Sequence, residues 1–108
     1  MFFSFSLRAA RQVDEIYNYI AHDNPAAAQK VVDRIYSVAG YLADYPHSGH
    51  PTCVGDIRVY PAHPYPYLVY FRSVLGRDEV RILRVRHASR RPLNLNDPPS
   101  EFLMQKTA

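Results

Sequence analysis

Apolar residues recur at helical spacing twice in the first half of the chain and at strand spacing in the second. Leu7, Ala10, Val13, Ile16, Tyr17 and Ile20 fall on one side of a helix whose other side carries Arg8, Arg11, Asp14, Glu15 and Asn18, the recurrence of an amphipathic helix. Ser6 stands where an N-cap belongs, and Phe2 to Phe5 before it is a short aromatic run suited to a strand. Asp23-Asn24-Pro25 stops this helix and starts another, since Asn24 can cap and Pro25 needs no N–H at the first helical position. A second stripe follows through Ala28, Val31, Val32, Ile35, Val38, Ala39 and Leu42, and Pro46 blocks continuation beyond Tyr45. So short a connection makes the two helices an antiparallel hairpin.

Beyond a Pro- and Gly-containing loop at His47 to Gly55, the segments Ile57 to Tyr60, Tyr67 to Ser73 and Glu79 to Arg86 read as strands. The order predicts an α+β fold: an N-terminal strand, an antiparallel helical hairpin, then a three-stranded antiparallel meander, forming one sheet packed on the helices. The domain is expected over residues 1–91. Residues 92–108, with Pro92 and Pro98-Pro99, read as an extended tail with one short helical turn at Glu101 to Gln105. In the last strand arginine alternates with aliphatic residues, and the period of two puts Arg84 and Arg86 on one face with Val80 and Ile82, while Leu83 and Val85 point into the helices.

Composition changes this picture in one respect, charge. The net charge of the 108 residues is only +3, yet residues 51 to 91 hold eight Lys/Arg against three Asp/Glu. The excess therefore sits on the strands and asks for an anionic partner. The single Cys53 cannot form an internal disulfide, which fits a reducing compartment. Met1 to Leu7 is too short to span a membrane and lacks the pattern of a signal peptide. A soluble cytoplasmic protein is expected.

RNA cleavage through the 2′-hydroxyl needs a base, an acid, and cations for the charged phosphorane. Arginine fills only the last role, because it does not exchange protons near neutral pH. His87, at the end of the last strand, is the residue able to move a proton; its structural alternative is a strand cap bonded to a backbone group. Arg84 and Arg86 read either as an anion-binding row or as a solvated face, and convergence of Arg with Tyr67 or Tyr70 favours a protein-binding surface. Arg90 and Arg91 are a loop charge pair just past the strand. Of nine tyrosines, Tyr65, Tyr67 and Tyr70 are placed for base stacking, whereas Tyr17, Tyr36, Tyr41 and Tyr45 lie on helices. His47, His50 and Cys53 have zinc-like spacing, but their neighbours Ser48-Gly49 and Pro51-Thr52 are turn residues; no metal and no cofactor is expected.

Ala21 to Ala28 at the helix junction, Leu42 to Pro46 with Gly49, Gly55-Asp56-Ile57-Arg58, Pro66 to Tyr70, and Val80 to Arg90 together resemble the RelE/ParE superfamily of toxins from type II toxin-antitoxin systems, on its ParE side. The resemblance implies the fold derived above, and inhibition of DNA gyrase by binding, with a role in plasmid stabilisation. It also implies a ParD-like antitoxin whose C-terminal segment wraps the toxin and through which alone it meets operator DNA. RelE-like ribonucleases place Lys and Arg on central strands and a Tyr near the C-terminus. Here the only lysines are Lys30 and Lys106, Arg58 and Tyr67 occupy the strand positions, and Ala88, not Tyr, follows His87.

The expected binding residues are Arg58, Tyr67, Arg84, Arg86, His87 and Arg90, the last matching a family position at the toxin's working end. The alternatives are a messenger-RNA ribonuclease using His87, Arg58 and Arg84, and a non-toxic protein that stabilises its antitoxin's operator complex.

Overall fold

Two caps set the limits of the helical hairpin. Ser6, in extended backbone, accepts the Ala9 N–H at 3.0 Å and opens α1 (Leu7–Ala21). Asn24 accepts the Ala27 N–H and Pro25 takes the first position of α2 (Pro25–Asp44), each cap satisfying an N–H the helix cannot. The computed structural model describes residues 2–74 and 76–89. Its strands are β1 (Phe2–Phe5), β2 (His50–Pro51), β3 (Arg58–Pro61), β4 (Tyr67–Val74) and β5 (Glu79–His87).

They form one sheet in the order β1-β5-β4-β3-β2. The β3-β4-β5 meander is antiparallel, and β1 lies parallel to β5 with Phe3 opposite Val80, so the first of the described strands closes against the last. β2 falls within the segment read from sequence as loop. It pairs only with β3 at the sheet's far edge, where Pro51 costs no ladder bond.

The core between sheet and hairpin holds Ala9 and Val13 of α1, Val31, Ile35, Val38, Ala39 and Leu42 of α2, Val69 and Phe71 of β4, and Val80, Ile82 and Val85 of β5. Ala9 and Val13 of α1 are buried, with Ile16 and Ile20 partly buried on the same line; Leu7 and Ala10, expected inside, are exposed. The Ser6 hydroxyl explains the rotation. It donates to Leu83 O at 3.0 Å, tying the helix start to β5 so that Ala9 meets the sheet.

A second correction concerns β5. Phe71 pairs with Ile82 but Tyr70 with Arg84, so Leu83 is an extra residue in a β-bulge. A bulge inverts the alternation beyond it. Val80 and Ile82 face the helices and so does Val85, while Leu83 joins Tyr70 and Ile57 in a small cluster apart from the main core. Arg84 and Arg86 therefore lie opposite Tyr70 and Leu68, on the face away from Val80 and Ile82 rather than beside them.

At its other end β5 begins with a buried carboxylate. Glu79, 3% exposed, accepts from the Ser4 hydroxyl of β1 and from Arg81 at 3.2 Å and Arg77 at 3.4 Å. The Ser4 hydrogen bond, followed by Arg81 and Arg77, holds its carboxyl below the ordinary value of 4.5 against the opposing effect of burial. This knot fastens β1 to β5.

Candidate functional site

β1 is shorter than β5, and the site is what that difference leaves uncovered. After Phe5 the Ser6 N–H donates to Ile82 O at 2.9 Å and the chain turns into α1. β5 continues from Leu83 to His87 with β1 no longer beside it. Side chains take over the edge: Ser6 Oγ holds Leu83 O, and Gln12 Oε1 accepts the Val85 N–H at 2.8 Å.

Between this edge and α1 lies a cleft of about 390 Å³, with Gln12, Glu15, Ile16 and Tyr19 on the helix side and Tyr67, Arg84, Val85, Arg86 and His87 on the strand side. Residues from both faces of β5 reach it because the edge is open. Its walls bring two arginines, a histidine and two tyrosines together with a single carboxylate, Glu15. Such a lining attracts anions.

His87 stands edge-on to Tyr67, ring centroids 5.2 Å apart at 82°. Its Nδ1 accepts the Ser89 N–H at 3.1 Å and lies 2.7 Å from the Ser89 hydroxyl. A backbone N–H can only donate, so in the neutral ring the proton resides on Nε2. His87 thus caps the strand end and can present an N–H to the cleft; acting as a base through Nε2 requires giving up the cap.

The structure gathers Tyr67, Arg84, Arg86 and His87 at one cleft, and sets Arg58 apart on β3. Arg58 Nε donates to Ser48 O at 3.0 Å, and its Nη2 to His47 O at 2.8 Å and Gly49 O at 3.2 Å. It pins the loop after α2. Gly49 in that loop has φ +77°, and a Cβ there would lie 2.2 Å from Val59 O, so only glycine fits. Tyr67 and Tyr70 are 7% and 3% exposed and offer no open face for stacking a base. Arg90, Arg91 and residues 92–108 lie outside the described residues. Among the described residues, no three His, Cys, Asp or Glu side chains cluster to hold a metal, His47, His50 and Cys53 included.

Three cleft residues of α1, Gln12, Glu15 and Tyr19, escaped sequence reasoning. Gln12 and Glu15 sit on the polar side of α1's periodicity, where nothing marks them from solvated neighbours; only the β5 edge, distant in sequence, gives them a role.

Residues 3–92 match the family described as ParE toxin of type II toxin-antitoxin system, parDE. The chain belongs to the ParE toxin family. Phe2 apart, the match takes in the helices and strands of the described residues, and with them the cleft. Among the toxin's relatives, Y4kP of Sinorhizobium fredii is 43% identical over 84 residues, covering 78% of this chain and 84% of that protein. Toxin RelE2 of Caulobacter vibrioides is 34% identical over 83 residues, covering 77% of this chain and 90% of its own. The solved chromosomal ParDE toxin-antitoxin system from P. aeruginosa matches with a TM-score of 0.70 and 26% identity, over 82% of this chain and 97% of the other. No helix among the described residues is long and apolar enough to cross a membrane.

Proposed function

We propose that this ParE-family toxin acts in the cytoplasm by binding DNA gyrase rather than by cleaving RNA, and that a ParD-like antitoxin neutralises it and carries its contact with operator DNA. The observation that carries the choice is the His87 cap. The residue best suited to proton transfer by its chemistry has its Nδ1 committed to the Ser89 N–H, and Arg58, which a nuclease reading would use for the phosphate, spends its guanidinium on loop carbonyls. At the cleft the half-buried Arg86, beside the buried Arg84, gives the wall a positive field that suits acidic side chains of a protein partner.

A second reading keeps one specific observation in its favour: Glu15 lines the same cleft as His87, so a carboxylate acceptor and an imidazole N–H donor flank the arginines as ribonuclease chemistry would require. The toxin relative named RelE2 is consistent with it. Purified toxin assayed for gyrase supercoiling and for messenger-RNA cleavage separates the two. We expect inhibited supercoiling and intact RNA, retained in His87→Ala and Glu15→Gln within about threefold. Cleavage of RNA that both variants abolish would replace the first reading with the second.

A further inference from the structure

Among the described residues the sheet ends at β2 on one side and at β1 on the other, and the two edges are unlike. β2 is two residues long and contains Pro51, both of them devices that stop a further strand from pairing. β1 reads Phe2-Phe3-Ser4-Phe5, with no proline, no glycine and no charge. The Phe2 N–H donates to Asp78 O at 3.0 Å and the Ser6 N–H to Ile82 O at 2.9 Å, both toward β5. Backbone groups alternate sides along a strand, so the N–H and C=O of Phe3 and Phe5 point outward, where no strand of the described residues lies. Aromatic rings flank this open edge on both faces. Phe3 and Phe5, opposite Val80 and Ile82, lie on the helix side and pack against Tyr36 of α2 with ring centroids 6.4 Å and 5.0 Å apart. Tyr36 is nonetheless 46% exposed, and Phe2, on the other face, is 55% exposed. No residue of β1 lines the cleft beside β5.

We infer that β1 is a self-association edge: a second copy of the chain lays its own β1 antiparallel against it and joins the two sheets into one. Symmetry favours a copy over another partner. Phe3-Ser4-Phe5 reads the same in both directions, so a two-fold axis through Ser4 sets Phe3 of each copy opposite Phe5 of the other, and their outward N–H and C=O groups bond in pairs. That register brings Phe3, Phe5 and Tyr36 of both copies to one seam. It also places Phe2 opposite Ser6 of the other copy, one residue from Leu7, which is 68% exposed. Charge permits the contact. Residues 1 to 50 hold four Lys/Arg against five Asp/Glu, so two chains of net charge +3 meet through their nearly neutral halves and not through their arginine-bearing strands. So short an edge covers less than the about 800 Å² per partner of a standard interface, and the pair therefore dissociates in the micromolar range.

Sedimentation of the full chain over a concentration series, with amide hydrogen exchange on the same samples, tests this. Self-association should follow a single monomer–dimer equilibrium. Exchange at Phe3 and Phe5 should slow about tenfold between the dilute and the mostly dimeric sample, while Ser4 and Ser6, whose amides face β5, change less. Phe2→Lys and Tyr36→Glu, each at an exposed position, should leave the Tm of dilute protein within about 3 °C and each weaken the dimer about tenfold or more. Tyr45→Glu, in the separate Tyr41–Tyr45 ring pair, should leave the dimer unchanged. A chain that is monomeric at every concentration overturns the inference. So does a dimer in which Phe3 and Phe5 exchange as before, or one that Tyr45→Glu dissolves and Phe2→Lys does not, since either puts the contact elsewhere. Slow exchange at Phe3 and Phe5 that does not depend on concentration assigns the edge to another part of the same chain and overturns it as well.

Discussion

β5 is one strand with two unlike halves. From Glu79 to Ile82 it is paired on both sides, and its arginine, Arg81, is spent on the buried carboxylate of Glu79. From Leu83 to His87 it has β4 on one side and side chains on the other, and its arginines line a cleft. The residue pattern is nearly the same in both halves, so alternation of Arg with aliphatic residues does not by itself mark a binding surface. What separates them is the bulge at Leu83 together with the early end of β1. The first half is closed into the sheet, and the second lines the cleft. Arg58 makes the same point on β3, where a cation that looks like part of a site holds a loop.

The contrast is sharpest in variants of matched position. Ile82→Ala, in the closed half, should lose about 3 kcal/mol of stability and lower Tm by more than about 10 °C, read by thermal melting; a change under about 1 kcal/mol would show that the closed half does not support the core. Arg58→Ala should cost about 2 kcal/mol, and Arg58→Lys should not restore it, because an ammonium cannot reproduce the planar fork that reaches the loop carbonyls. Arg86→Gln, in the open half, should leave Tm within about 3 °C yet weaken the proposed inhibition of gyrase about tenfold, or about 1.4 kcal/mol. A destabilised Arg86→Gln with undiminished inhibition would reverse the roles of the two halves.

The mildest test uses pH. A carboxyl whose folded pKa is depressed binds its proton less tightly in the folded protein than in the unfolded chain. The stabilisation from Glu79 is therefore complete above its ordinary value of 4.5 and is lost as pH falls below that value toward and through the folded one. Melting temperature followed downward from pH 6 should drop less steeply below 4.5 in Glu79→Gln and in Ser4→Ala than in the parent. Equal slopes would remove Glu79 from the fastening of β1.

Most of the fold was legible because it rests on local signals. Ser6 and Asn24-Pro25 mark both helix starts, and β1 stands at the aromatic run Phe2 to Phe5, with β3, β4 and β5 within a residue of the segments that composition and turn residues marked as strands. Other features rest on contacts distant in sequence. No Gly or Pro announces the bulge at Leu83, which arises from fitting β5 to β4 and to Ser6 at once. The inward face of α1 is set by the same Ser6 tie, which is why Ala9 rather than Ala10 is buried. Of the expected site, Arg84, Arg86, His87 and Tyr67 do meet at one cleft. Arg58 stays apart because its guanidinium finds backbone carbonyls closer at hand. Gln12 is invisible in the sequence because its partner, Val85, is 73 residues away.

That separation also bears on time. The cleft has one wall from α1, near the start of the chain, and the other from β5, the last strand among the described residues. A ribosome that has released the helices, β3 and even β4 has built neither the edge nor the arginines beside it. A chain interrupted before β5 carries the helical hairpin but no cleft, so the two walls first meet once β5 has been made.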